Sequence, residues 1–95
     1  MASEKFKSVW DAVADTPEDA ANLRARAELM TAIGAAIKRH KWNQVQAAQH
    51  AGITQPRMSE LLRGRVSKFS LDALVRVAST LGLRVRIEVQ DLEEA

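Results

Sequence analysis

The stretch from residue 43 to residue 64, NQVQAAQHAGITQPRMSELLRG, constrains the fold of this chain more than any other. In its first half, Asn43 and Gln46 can form a reciprocal cap. Small or apolar side chains then recur with helical spacing and predict a buried inner face of Val45, Ala47, Ala48 and Ala51. Gly52 follows where a tight turn needs a residue that tolerates a positive φ. The sequence therefore predicts a short helix that ends in a tight turn, after which Ile53 points back into the core.

A second short helix is predicted directly after this turn. Thr54 offers a hydroxyl that can cap the helix, and Pro56 falls in its first turn, where a missing N–H costs little. Gly64 ends the helix. The buried face of this helix is predicted to consist of Met58, Leu61 and Leu62. The stretch thus predicts a helix-turn-helix motif, the alternative being two ordinary surface helices.

The outward face of the second helix carries a set of polar residues, Gln55, Arg57, Ser59 and Glu60. In the major groove of DNA, glutamine can bond adenine bidentately, arginine can bond guanine in the same way, and serine can reach a base or a phosphate. These residue types predict that the second helix reads DNA bases.

Charge is unevenly distributed along the chain, although the net charge is only +2. Residues 1–22 carry two cations against five carboxylates, residues 23–70 carry nine against two, and residues 71–95 carry three against five. The motif therefore lies in a basic block between two acidic ends. A basic block of this kind suits a surface that faces DNA phosphates.

Length and composition narrow the functional class. The 95 residues predict one small domain, which association between copies would help to stabilise. The absence of cysteine excludes disulfides, thiolate catalysis and cysteine metal sites. Because no nucleophile–base pairing, glycine-rich phosphate loop or metal-ligand spacing is visible, we predict no enzyme activity, no cofactor and no metal. The N-terminus shows no signal peptide or membrane-spanning run, so the expected location is cytoplasmic.

Three further helices are predicted around the motif. The first belongs to a short amphipathic segment over residues 1–15, whose Trp10 serves either core packing or contact with a protein partner. The second begins at a Thr16 cap and continues to about Arg39. Its outer face is predicted to carry Arg24, Arg26 and Glu28. The third spans residues 70–82, between a serine cap and a glycine that ends it.

The period of the apolar pattern changes from helical to strand-like over residues 83–90. Its apolar positions, Leu83, Val85, Ile87 and Val89, alternate with charged or polar ones, which predicts a strand with one buried face. A lone strand cannot satisfy its own backbone, so the simplest partner is the same strand of a second copy, antiparallel about a two-fold axis. Residues 5–10 are the alternative partner. Residues 91–95 predict an acidic tail.

Nearly the whole chain resembles a known family. The resemblance covers FKSVWDAVADTPEDAANLRARAELM, the helix-turn-helix and KFSLDALVRVASTLGLRVRIEV. Within the motif it rests on the cap, turn and core positions, Asn43, Gln44, Ala48, Gly52, Ile53, Thr54, Met58 and Leu61. The chain is similar to the small HigA-type antitoxins of the phage-repressor-like (XRE) helix-turn-helix superfamily. This resemblance implies a mainly α, compact bundle of about five helices with one C-terminal β-strand that pairs across a dimer.

The resemblance also implies a function. Members of the group are homodimeric repressors that bind palindromic operators in double-stranded DNA, and many neutralise a toxin of the RelE or HigB type. By position, Gln44 would contact phosphate, while Gln55, Pro56, Arg57 and Glu60 would face bases. Pro56 departs from the commoner polar residue, which leaves it a contact with a thymine methyl group. A free-standing repressor with no toxin partner is the alternative.

Predicted phosphate contacts surround the base-reading residues within a DNA-binding domain over residues 16–90. Arg65 and Lys68 lie in a loop after the motif and either hold phosphates or are simply solvated. The full predicted set is Lys41, Asn43, Gln44, Thr54, Arg63, Arg65 and Lys68. Trp42 is predicted as a hydrophobic plug before the motif, and His40 and His50 as solvated side chains.

Overall fold

The computed structural model describes residues 16–91, which form four α-helices and one 3-10 turn. The elements in chain order are α1 (Pro17–Arg39), α2 (Gln44–Ala51), α3 (Gln55–Leu62), the 3-10 turn (Val66–Lys68) and α4 (Leu71–Thr80). The predicted mainly helical fold is confirmed for this part of the chain. The amphipathic segment over residues 1–15, with the fifth predicted helix, and the tail over residues 92–95 lie outside the described residues.

The start and end of α1 follow from capping and charge. Thr16 Oγ1 accepts a hydrogen bond from Asp19 N at 3.1 Å, and Pro17 occupies the first turn, where its missing N–H leaves no bond unmade. Lys38 and Arg39 lie in the last turn, beside the negative end of the helix dipole. The buried face consists of Ala20, Leu23, Met30, Ile33, Ala36 and Ile37. The predicted long amphipathic helix is therefore confirmed.

The four described α-helices end in the same hydrogen-bonded geometry. At the end of α2, Gly52 N–H donates to Gln49 O at 3.3 Å and Ile53 N–H donates to Ala48 O at 3.1 Å. These two bonds satisfy carbonyls that the helix leaves free, and they need a left-handed residue, which Gly52 provides at φ 74°. The corresponding residues after α1, α3 and α4 are Lys41 (φ 58°), Gly64 (φ 74°) and Gly82 (φ 87°).

The apolar core joins the two helices of the motif to α1 and α4. Its fully buried large side chains are Ile33, Met58, Leu61 and Leu74. Because Met58 and Leu61 come from α3, burial at roughly 1.5–3 kcal/mol per side chain of this size fixes α3 against the scaffold. The opposite face of α3 is thereby turned towards solvent.

Two apolar residues of the motif are more exposed than their predicted faces require. Val45 is 47% exposed and Leu62 is 40% exposed, so the prediction that both are buried is wrong. Each of these helices has only eight residues and buries a narrow stripe. Val45 and Leu62 lie just outside that stripe and therefore face solvent.

The alternating stretch after Gly82 has no regular secondary structure in the single chain. Leu83 and Val85 are half-buried and pack against the core, whereas Ile87 and Val89 are 81% and 88% exposed. No strand is assigned between residues 16 and 91, so the predicted C-terminal strand is not formed here. The physical reason is that a strand exists only with a hydrogen-bonded neighbour, and the single chain supplies none in that range.

Candidate nucleic-acid interface

Side-chain caps set the geometry of the helix-turn-helix. At the start of α2, Asn43 and Gln46 form a reciprocal capping box: Asn43 Oδ1 accepts from Gln46 N at 2.8 Å, and Gln46 Oε1 accepts from Asn43 N at 2.9 Å. At the start of α3, Thr54 Oγ1 accepts from Arg57 N at 3.3 Å. The predicted caps and the left-handed turn at Gly52 are confirmed. These caps settle where each helix begins, and hence which side chains lie at its exposed N-terminus.

Two glutamines meet where the N-termini of α2 and α3 adjoin. Gln44 and Gln55 are the first residues of these helices, both are exposed, and Gln55 Nε2 lies 3.5 Å from Gln44 Oε1. A donor–acceptor distance of 3.5 Å is at the long limit for a hydrogen bond, so the contact is easily exchanged for another partner. The fold thus brings together Gln44, one of the residues predicted to contact phosphate, and Gln55, the first residue predicted to read a base.

The other residues predicted to face bases differ in their exposure and in their contacts within the chain. Pro56 is exposed beside Gln55, and Ser59 is half-buried. Glu60 is also half-buried, and its Oε1 lies 3.4 Å from Arg57 Nη1 in an ion pair. The structure therefore presents Gln55 and Pro56 openly at the N-terminal end of α3 and engages Glu60 within the chain.

Arg57 has three intramolecular contacts. Its guanidinium carbon lies 4.0 Å from the centroid of the Phe69 ring, a cation–π contact. Its Nη1 donates to Lys68 O at 2.9 Å and pairs with Glu60. The side chain is 42% exposed, and its hydrogen bond and its ion pair both use the single atom Nη1.

All seven side chains predicted to contact phosphate belong to exposed residues, namely Lys41, Asn43, Gln44, Thr54, Arg63, Arg65 and Lys68. Arg65 and Lys68 flank or belong to the 3-10 turn, an element the sequence predicted only as a loop. Asn43 and Thr54 use one oxygen each for capping and keep their remaining polar hydrogens for another partner.

Arg26 is a residue of the site region that sequence analysis placed wrongly. It was predicted on the outer face of α1, but it is half-buried, and its Nη1 donates to Val66 O and Phe69 O at 2.9 Å each. Its Nε is buried without a hydrogen-bond partner. These bonds join residues 40 and 43 positions apart, and no local pattern in the sequence signals them.

An aromatic stack closes the junction between α1 and α2. Trp42 is half-buried against the core, which confirms its predicted role as a plug. His40 and His50 stack on the indole, with ring centroids 4.3 Å and 3.9 Å away and interplanar angles of 9° and 12°. Both histidines are exposed as predicted, although the sequence did not indicate the stacking.

The described part of the chain offers neither a metal-binding cluster nor a membrane-spanning helix. Residues 16–91 contain no group of three or more histidine or carboxylate side chains placed to hold a metal ion. Within the same range, no helix combines the length and the apolar character needed to cross a membrane. The polar, exposed face of the two motif helices is thus the principal candidate site.

Comparison with known proteins assigns this architecture to a family. A family model described as a helix-turn-helix domain matches residues 12–90, which includes all four described helices. No curated protein matches the chain. Both the match and the observed cap–turn–cap geometry support a DNA-binding regulator of the phage-repressor-like type. The chain therefore belongs to the helix-turn-helix domain family.

Proposed function

We propose that the protein is a sequence-specific, dimeric DNA-binding transcriptional repressor. The observation that carries this proposal is the exposed pair of Gln44 and Gln55, 3.5 Å apart at the adjoining ends of α2 and α3. When α3 enters a major groove, the N-terminus of α2 faces the adjacent phosphate backbone, where an exposed glutamine can donate to an oxygen. Gln55 is then oriented by Gln44 and can bond an adenine bidentately.

The remaining residues divide into base and backbone contacts. Beside Gln55, we assign base contacts to Pro56, through a thymine methyl group, and to Ser59 and Glu60. Arg57 belongs to this set by position, but its side chain already has three partners in the free chain. The phosphate contacts are assigned to Lys41, Asn43, Gln44, Thr54, Arg63, Arg65 and Lys68.

Dimerisation is assigned to the alternating stretch over residues 83–90. Leu83 and Val85 already pack on the core, while the next two apolar residues of the same face, Ile87 and Val89, have no such cover. Antiparallel pairing with a second copy would satisfy the backbone and cover both side chains. Two copies related in this way would present their α3 helices, the recognition helices, to half-sites about 34 Å apart on a pseudo-palindromic operator.

We further propose that the repressor is the antitoxin of a HigBA-type operon, with a free-standing repressor as the alternative. The support is the resemblance of the chain to HigA-type antitoxins. Co-expression with the neighbouring gene separates the two roles, because an antitoxin co-purifies with a RelE- or HigB-like toxin. A chain that binds its operator but captures no product of an intact operon is a free-standing repressor.

The DNA-binding proposal is tested by selection from a random duplex library followed by substitution of Gln55. We expect the wild type to enrich a pseudo-palindrome, and Gln55→Ala to lose roughly 1–3 kcal/mol of preference for it over random DNA. The matched control is Gln49→Ala, which removes an exposed glutamine of α2 and should keep that preference. Enrichment of no sequence, or an unchanged preference in Gln55→Ala, contradicts the proposal.

A further inference from the structure

The turn that follows the motif is held by two arginine side chains. The 3-10 turn Val66–Lys68 has no side-chain cap of its own. Arg26 of α1 donates to Val66 O and Phe69 O, and Arg57 of α3 donates to Lys68 O, all at 2.9 Å. Three backbone carbonyls of this short segment are thus bound from two different helices.

Arg57 is the side chain that ties the end of this turn to α3, through the carbonyl of Lys68. The Phe69 ring below its guanidinium is 3% exposed and belongs to the core, so the ring provides a fixed platform. Glu60, one turn further along α3, pairs with the same Nη1 that bonds Lys68 O. A planar guanidinium can stack face-on against the ring and donate hydrogen bonds in its own plane, a geometry that the rounded ammonium group of lysine does not offer.

The position of Lys68 therefore depends on Arg57. Lys68 is exposed, and its backbone carbonyl is the atom that Arg57 binds. A phosphate contact is effective only if the cation sits at the correct distance from the helix in the groove, since the phosphates are fixed relative to the bases. Loss of the bond from Arg57 to the Lys68 carbonyl would therefore misplace the Lys68 side chain.

We infer that Arg57 is a positioning residue, which sets the phosphate-contacting turn at a fixed distance from the recognition helix in place of reading a base itself. This inference rests on the proposed DNA-binding function. It assigns direct base contact to Gln55 and Pro56, the exposed residues at the start of α3, and gives Arg57 an effect on affinity that is independent of DNA sequence.

The first test uses the free protein and needs no DNA. Amide hydrogen exchange is compared between Arg57→Ala and the matched control Arg63→Ala, which removes an exposed arginine from the C-cap of the same helix. We expect exchange of the Lys68 and Phe69 amides to accelerate about tenfold in Arg57→Ala and to remain unchanged in Arg63→Ala. Equal exchange at these amides in Arg57→Ala and the wild type overturns the inference.

The second test measures binding to operator and random DNA over a range of salt concentrations. For Arg57→Ala we expect both affinities to fall by the same factor, with the operator-to-random ratio kept within about twofold and a shallower salt dependence. A base-reading arginine would instead reduce that ratio by roughly 5- to 150-fold. Such a reduction overturns the inference and restores Arg57 to the base-reading set.

A double-mutant cycle separates positioning from simple loss of charge. Because Arg57 acts through the turn, Lys68→Ala should weaken binding less in the Arg57→Ala background than in the wild type. The same substitution should have its full effect in the Arg63→Ala background. Additive effects of Arg57→Ala and Lys68→Ala contradict the inference, whereas a wild type that prefers no DNA sequence contradicts the proposed function itself.

Discussion

The motif over residues 43–64 and the stretch over residues 83–90 have equally regular sequence patterns but different outcomes. In the motif, caps at Asn43 and Thr54 and the turn at Gly52 form as the pattern predicts. In the C-terminal stretch, alternation predicts a strand, yet Ile87 and Val89 remain more than four-fifths exposed. The difference is that a helix forms its backbone hydrogen bonds within its own segment, whereas a strand forms them only with a second strand, which lies elsewhere.

The largest expected effect comes from removing the partner of the C-terminal stretch. In the double variant Ile87→Asp with Val89→Asp, a two-fold dimer loses four apolar contacts, each worth roughly 1.5–3 kcal/mol. We expect the dissociation constant to rise by at least about 10⁴-fold. Sedimentation at micromolar concentration should show a wild-type dimer and a monomeric variant, with the helical circular dichroism unchanged.

Gln90→Asp is the matched control for this dimer prediction. It adds one negative charge to the same stretch, but at a polar position of the alternating pattern. We expect this variant to remain dimeric. A monomeric wild type, or a double variant that stays dimeric, would show that residues 83–90 do not form the dimer contact.

The second prediction tests whether the motif owes its shape to local backbone geometry. Gly52 has φ 74°, and a Cβ atom added there would meet nothing within 4 Å, so the cost of Gly52→Ala is backbone strain alone. We expect a loss of about 1 kcal/mol in the free energy of unfolding, since the left-handed region costs an L-residue roughly 1–2 kcal/mol. Urea denaturation at one fixed protein concentration measures it.

Gly34→Ala is the control for the glycine substitution. Gly34 lies inside α1 and also has open space where a Cβ would stand, but it has no positive φ. We therefore expect this variant to gain about 0.5–1 kcal/mol of stability. If both alanine variants shift stability in the same direction, the left-handed turn is not what makes Gly52 necessary.

Contacts between residues close together in the sequence could be predicted from it, whereas contacts between distant residues could not. Caps such as Asn43 with Gln46 span three residues, and a single pattern reveals them. The bonds from Arg26 to the backbone of Val66 and Phe69 join distant parts of the chain, and Arg26 has the same spacing in the sequence as an outward-facing residue. Helix boundaries could therefore be predicted, whereas the partners of half-buried charges could not.

The same limit applies within the candidate site. The positions of Gln44 and Gln55 could be predicted because each is the first residue of a capped helix, and the turn between the helices brings the two ends together. The environment of Arg57 could not, because Phe69 and the Lys68 carbonyl reach it only after the 3-10 turn has packed. Residue type suggested a base contact there, and only the tertiary contacts suggested positioning.

The smallest expected effect concerns Lys41, where a left-handed backbone and a predicted phosphate contact fall on the same residue. It adopts φ 58° at the helix end where the other three helices have glycine. Lys41→Gly should relieve the strain and raise the free energy of unfolding by about 0.5 kcal/mol, the gain being limited by the greater freedom of glycine in the unfolded chain.

If Lys41 also contacts phosphate, the same variant should reduce the salt slope of DNA binding by about 1. Lys41→Ala separates the two effects, because it removes the charge but keeps the strained Cβ: we expect the same reduced slope with no gain in stability. Equal stability of the glycine and alanine variants would show that the left-handed backbone at residue 41 is not strained, and an unchanged slope in both would remove Lys41 from the phosphate contacts.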